Sequence, residues 1–334
     1  MTAIALLFFS SFSNAFAALH EVKIHKDIQW ATPKNFELTA DIYVPQSQVD
    51  KMPVLIIYHG GGWLLNTKEI MNDLALYIST HSDFVVVNTN YRTLGSLNNT
   101  THINEIIDDA IGAVLWVKDN IEQYRGDKSK IAVTGDSAGG HLAAMITLGS
   151  RNLSSKGFGQ GKLGFHPTYL PKGKTAEQVA REDGGSVQAT ILSYAGFDVH
   201  EGAKNGFEQS SNPFWGWANV NARGLFGANI NVVDHPKYYK AASPNQYIVN
   251  SQSYQLPPQF VLVGSEDKLT TPESAKAYVN QLKQAGQPYQ LQIIEGKGHG
   301  FLDSGCPTYT NGCFSEVAVP TVKQMISFLN SVFY

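Results

Sequence analysis

Only two cysteines occur among the 334 residues, Cys306 and Cys313. No second Cys or His pair stands near them at ligand spacing, which argues against a zinc site, and no other metal set is suggested. Charge is sparse too: 25 Lys and Arg against 28 Asp and Glu leave a formal net charge of −3. That balance gives no basic footprint for nucleic acid and no polybasic patch for an anionic membrane. No apolar run reaches the ~20 residues that a span requires, so stable membrane insertion is not expected. There is no internal repeat and no linker that would split the chain. A small neutral or weakly polar partner fits this composition best.

The N-terminus carries a short apolar core, Ala3 to Phe9, then polar residues, then Ala15-Phe16-Ala17. This order of apolar core and small-x-small site reads as a secretory signal peptide over 1–17, although no Lys or Arg precedes the core. The expected mature chain, 18–334, is then secreted or periplasmic. In that compartment two thiols separated by six residues, with Pro307, Asn311 and Gly312 between them, are expected to be bridged, closing a small loop. Asn98, Asn99 and Asn152 each head an Asn-x-Ser/Thr sequon, which matters only in a glycosylating host.

Two short stretches carry the chemistry. His59-Gly60-Gly61-Gly62-Trp63 and Gly135-Asp136-Ser137-Ala138-Gly139-Gly140 each follow a run that reads as a buried strand. The second is a Gly-x-Ser-x-Gly elbow, which sets a serine on a tight strand-to-helix turn. The first offers glycines whose bare backbone N–H groups can point at a developing oxyanion.

Unbroken apolar runs at Val54–Tyr58, Phe84–Asn88, Lys130–Thr134, Gln188–Leu192, Gln259–Val263 and Tyr289–Ile294 mark strands covered on both faces, and Leu38–Val44 alternates like a strand. Helical spacing covers 104–124, 138–148, 272–285 and 315–333. The alternation predicts one doubly wound, mostly parallel α/β sheet. Two stretches within 150–245 break the rhythm. One is rich in Gly, Lys and Ser (150–186); the other, 202–233, holds Phe207, Phe214, Trp215, Trp217 and Phe226 and is assigned to a cap over the active site. Trp63, Trp215 and Trp217 are the candidate substrate-binding residues.

A serine hydroxyl needs a base, and the base an orienting acid. His299, in the glycine-rich loop Glu295 to Phe301 after the last apolar strand, is the candidate base. Asp267, just after the penultimate strand, is the candidate acid, with its neighbour Glu266 as the other choice. His59 belongs to the glycine motif and His141 is given a packing or hydrogen-bonding role. Asp198 and Asp303 are assigned structural or solvent-facing positions. Asp108 and Asp109 point about 100° apart on one helix, so they cannot share a proton and are read as fold-stabilising contacts. Asp136 is expected to hold the elbow through a local hydrogen bond.

With these residues in hand, the chain resembles the α/β-hydrolase superfamily, and within it the hormone-sensitive-lipase-like carboxylesterases and related secreted acetyl and feruloyl esterases. The resemblance runs from about Val54 onward, through the two motifs, Asn90-Tyr91-Arg92, Ala242-Ser243-Pro244, Asp267 and His299-Gly300-Phe301. It departs from the lipase-like pattern at Lys268, where a proline is usual, and in the 150–186 insertion. The resemblance implies an oxyanion hole from the N–H groups of Gly61, Gly62 and Ala138, a Ser137–His299–Asp267 triad working through an acyl-enzyme, and no cofactor. The expected activity is hydrolysis of short-chain or aromatic acyl esters, including acetyl or feruloyl esters of plant polysaccharides. An arylformamidase-like or peptidase-like amide hydrolase would use the same residues. A silent binding module would have lost one of them.

Overall fold

Each apolar run becomes a strand of a single eight-stranded sheet. In the computed structural model the described residues are 19–158 and 163–334, and the leader expected over 1–17 lies outside them. The strands are β1 Val22–Ala31, β2 Leu38–Pro45, β3 Met52–Tyr58, β4 Val85–Thr89, β5 Gly126–Asp136, β6 Ala189–Ser193, β7 Gln259–Gly264 and β8 Tyr289–Ile294. Their order is β1-β2-β4-β3-β5-β6-β7-β8. Pairing is antiparallel from β1 through β2 to β4 and parallel everywhere else. This is the doubly wound, mostly parallel sheet that the alternation predicts. All residues of β3, β4, β6 and β7 are buried, as strands sandwiched between helical layers must be.

The chain winds outward from β3 to β4, then crosses back to β5 on the other side of β3. A doubly wound sheet opens a crevice at such a reversal, beyond the carboxyl ends of the strands. Register places the strand ends level there: Tyr58 pairs with Gly135 and Asp136 with Ser193, while on the far side Gly264 pairs with Ile294.

Helices begin where local chemistry allows. Pro272–Gln284 starts with Thr271 as N-cap, its hydroxyl accepting from Ser274 N, and with proline in the first turn, where no intrahelical donor is needed. The C-terminal stretch expected as one helix is two, Phe314–Val317 and Val319–Phe333, because Pro320 forces a fresh start. Among the described residues no helix is long and apolar enough to cross a membrane.

Candidate active site

Loops leaving the carboxyl ends of β3, β5, β7 and β8 meet at the crevice. At the end of β5 the chain turns sharply into the helix Ala138–Gly149, and Ser137 sits on the turn with φ 52° and ψ −115°. Such a backbone costs about 1–3 kcal/mol in a non-glycine residue and lifts the side chain clear of the sheet. The turn is possible because Gly139 has no side chain: a Cβ there would stand 2.0 Å from the Tyr58 carbonyl oxygen.

His299 Nε2 lies 2.9 Å from Ser137 Oγ, and His299 Nδ1 lies 2.8 Å from Asp267 Oδ2. Asp267 is held in turn by the N–H groups of Leu269 and Thr270, which donate to Oδ1 at 2.8 and 2.9 Å, and by the Thr270 hydroxyl at 3.0 Å from Oδ2. Burial works to raise the Asp267 carboxyl, but the His299 hydrogen bond and charge and these N–H donors together hold it below the usual carboxylate range. It therefore stays ionised beside the imidazole. The structure thus brings Ser137, His299 and Asp267 into one line, whereas Glu266 is exposed to solvent. Thr270, which also reaches to 3.3 Å from His299 Nδ1, had no sequence signal of its own.

The glycine loop after β3 faces the serine. Gly61 and Gly62 have φ of 117° and 61°. Among the described residues no backbone acceptor takes the N–H of Gly61, Gly62 or Ala138, so all three stay free for an oxyanion. Several neighbours brace this loop. The His59 ring stacks on Tyr91 at 4.2 Å, and Tyr91 Oη donates to the His59 carbonyl at 2.6 Å. Burial lowers His59 to about 4, so the ring is neutral. Trp63 Nε1 donates to His141 Nδ1 at 3.1 Å, and His141 Nε2 donates to the Ala242 carbonyl at 2.8 Å. Burial lowers His141 to about 4 as well, which keeps its Nδ1 free to accept. Arg92 closes a fork on the fully buried Asp109, and Asp108 accepts from His166 N, so both carboxylates tie the fold together.

A cavity of about 550 Å³ opens between Ser137 and His299. Trp63, Phe197, Phe207, Phe214, Leu225 and Tyr278 give it apolar walls, with Phe207, Phe214 and Leu225 drawn from the stretch expected to form a cap. Two of the three expected substrate-binding tryptophans are corrected. Trp215 is 1% exposed and donates through Nε1 to the Phe207 carbonyl, so it props the wall from behind. Trp217 is 65% exposed and packs edge-on against Phe214. The helix Pro213–Trp217 explains both: with Phe214 facing the cavity, Trp215 turns about 100° away into the core, and Trp217 returns to the same side one turn further out.

Asp303 takes the structural one of its two expected positions, and Asp136 reaches beyond its own turn. Asp303 is buried, accepting from Tyr309 Oη at 2.6 Å, and burial pushes it up to about 6. The Asp136 carboxylate takes backbone hydrogen bonds at Gly60 as well as at its own residue, so it ties the elbow to the glycine loop, where a Cβ on Gly60 would stand 2.3 Å from its Oδ2. Its Oδ1 meets no partner, and burial, then the charge of Asp303, pushes its carboxyl well up. Asp198 caps the helix Val199–Lys204 and borders the cavity. Cys306 and Cys313 form a disulfide. Among the described residues no group of acidic, His or Cys side chains is arranged to hold a metal.

A family model described as BD-FAE matches residues 40–282. Esterase LipQ of Mycobacterium tuberculosis is 29% identical over 71% of this chain and 47% of its own length; carboxylesterase NlhH of the same organism is 25% identical over 80% and 72%. The chain spans about half the length of LipQ and 58% of Esterase LipC. Among solved structures, the apo form of Thermogutta terrifontis esterase 2 superposes with a TM-score of 0.65 at 20% identity, over 96% of this chain and 97% of that one. The motifs, the sheet order and these matches lead to one assignment: the chain belongs to the BD-FAE family and has the α/β-hydrolase fold.

Proposed function

We propose that the protein is a serine carboxylesterase acting on short-chain or aromatic acyl esters. The observation that carries the proposal is the hydrogen-bonded line from Asp267 through His299 to Ser137, ending at a cavity with aromatic walls. Ser137 Oγ attacks the ester carbonyl carbon as His299 Nε2 takes its proton. The carbonyl oxygen becomes an oxyanion facing the N–H groups of Gly61, Gly62 and Ala138, and Asp267 stabilises the imidazolium. The C–O bond to the alcohol then breaks as His299 returns the proton to the leaving oxygen. Water, deprotonated by the same nitrogen, attacks the acyl-enzyme, and the acid departs with Ser137 restored.

The cavity volume suits an acetyl to short acyl chain, or one aromatic ring of the feruloyl type, and such groups on plant polysaccharides fall within the proposed class. The relatives named as esterases support the reading. We place the protein outside the cytoplasm, on the strength of the Cys306–Cys313 bond and the leader-like composition of 1–17. One relative, a probable N-octanoylanthranilate hydrolase of Rhodococcus erythropolis, is 32% identical over 53% of this chain and 42% of its own length, and it favours an amide as the second reading.

The test is a chromogenic ester series from acetyl to long acyl, with methyl ferulate, acetylated xylan and an N-acyl anilide alongside, run on wild type and Ser137→Ala. Ser137-dependent turnover of short or aromatic esters is expected. Turnover of the anilide alone would replace the ester reading, and none on any substrate by folded protein would remove both.

A further inference from the structure

The aromatic stretch that walls the cavity meets the body of the protein along a seam, and one side chain makes several of the bonds across it. Arg223, half-buried, faces the loop that follows β4. Its Nη2 donates to the carbonyls of Leu94 at 2.7 Å and Thr101 at 2.5 Å, and its Nη1 to the Gly224 carbonyl at 2.8 Å. Its Nε is shared between the main-chain and side-chain oxygens of Asn99, at 2.7 and 3.1 Å. We propose that Arg223 is a positioning residue that sets the length of acyl chain the site accepts, by anchoring the cap against this loop. The inference rests on the esterase reading above.

The receiving loop is strained. Leu97, Asn98 and Asn99 stand in succession at φ 53°, 57° and 62°. None is glycine, so each is held in a left-handed backbone that costs free energy, and such a run persists only where its surroundings impose it. The turn brings both oxygens of Asn99 and the carbonyls of Leu94 and Thr101 onto one guanidinium. Every described acceptor of Arg223 is an amide oxygen, so the contact depends on a rigid fork of donors more than on charge. A lysine, with its donors gathered at one nitrogen, cannot span them.

Both sides of the anchor lead to the cavity. On the loop side, Leu94 N donates at 2.7 Å to the carbonyl of Trp63, whose side chain is one of the walls. On the cap side, Leu225 lies two residues beyond Arg223 and borders the cavity. Its carbonyl accepts from Ile103 N at 3.0 Å, and its own N–H donates to Glu208 at 2.6 Å. The guanidinium also stands 6.0 Å from the ring of Trp215, which adjoins Phe214 in the chain and is bonded to the Phe207 carbonyl. With the seam closed, Leu225, Phe207 and Phe214 limit the cavity. Released from it, they can draw back and leave room for a longer chain.

The experiment measures kcat/KM for a chromogenic acetate and the matching octanoate on wild type, Arg223→Met and Arg223→Lys, with thermal unfolding as the check on folding. Methionine keeps an apolar stem beside Trp215 and removes every donor; lysine keeps the charge. The ratio of kcat/KM, octanoate over acetate, is expected to rise about fourfold or more in Arg223→Met, the gain from one further buried methylene. It is expected to rise in Arg223→Lys as well, since charge alone does not restore the fork. A ratio that stays constant or falls would overturn the anchor, even where both rates drop or unfolding comes at lower temperature, because a merely structural residue would show the same. Global unfolding of both variants would overturn it too, for an anchor of the cap leaves the sheet and its core intact. If wild type turns over no ester of the chromogenic series in a Ser137-dependent way, the esterase reading itself has failed. Calorimetric binding of octanoate then reads the cavity directly, and an affinity unchanged in Arg223→Met would remove the anchor as well.

Discussion

Replacing Asp303 with asparagine should make the protein more stable at pH 8 and change little at pH 4. The residue is 7% exposed behind the His299 loop, and burial is the main cause of its rise to about 6. In the unfolded chain it ionises near 3.8. Between those two values the native state holds a proton that the unfolded state has lost, so stability falls as pH rises from about 4 to about 6 and then levels off. The gap corresponds to about 3 kcal/mol. The introduced amide would keep an acceptor for Tyr309 and carry no charge, and it would also relieve Asp136, whose carboxyl the Asp303 charge helps to push up. Urea unfolding of both proteins from pH 4 to pH 8 measures the difference directly. The variant should gain about 2–3 kcal/mol relative to wild type across that window, nearly all of it below about pH 7. A difference that does not vary with pH would refute the reasoning.

Three further outcomes follow from the site. Asp267→Asn should lower kcat by about 10⁴-fold with little change in fold, because an amide facing Nδ1 favours the wrong tautomer of His299; steady-state kinetics with circular dichroism checks both. Gly62→Ala puts a Cβ 2.6 Å from the Phe214 ring at φ 61°, and kcat/KM should drop about 10²-fold through displacement of an oxyanion donor, so an unaltered rate would remove Gly62 from that role. Phe214→Ala should extend acyl preference to longer chains, with about 0.8 kcal/mol gained per additional buried methylene, whereas Trp217→Ala should leave the profile as it is; the chromogenic ester series reads both.

What was legible in the sequence was whatever a local pattern controls. β3 is an unbroken apolar run because both its faces are covered, and Ser137, Asp267 and His299 each follow such a run at the sheet's carboxyl edge. β1 escaped notice for the opposite reason: it is an edge strand whose Lys23, His25, Lys26 and Asp27 face outward or interrupt the pleat, with register shifts on both sides of Ile28 and Gln29. The short helix Asn72–His81 buries only Leu74, Ala75, Ile78 and Ser79, too narrow a stripe to stand out. The cavity wall was partly legible, since the aromatic stretch does cover the site. Which of its rings faces inward depends on the start of a five-residue helix, set by Asn212 accepting from Phe214 N, and no periodicity reports that. The partnership of Asp136 with Asp303, like the Trp63–His141–Ala242 brace, joins residues far apart in the sequence and exists only once the sheet is assembled.

The central claim is that Ser137 is the nucleophile activated by His299. Treating the enzyme with an organophosphate ester and mapping the adduct by mass spectrometry tests it most directly. The account predicts one phosphoryl group per chain on Ser137, activity lost in step with labelling, no adduct in Ser137→Ala and slow labelling in His299→Ala. Ester hydrolysis that persists with Ser137 fully modified, or an adduct at another residue that tracks the loss of activity, would contradict it.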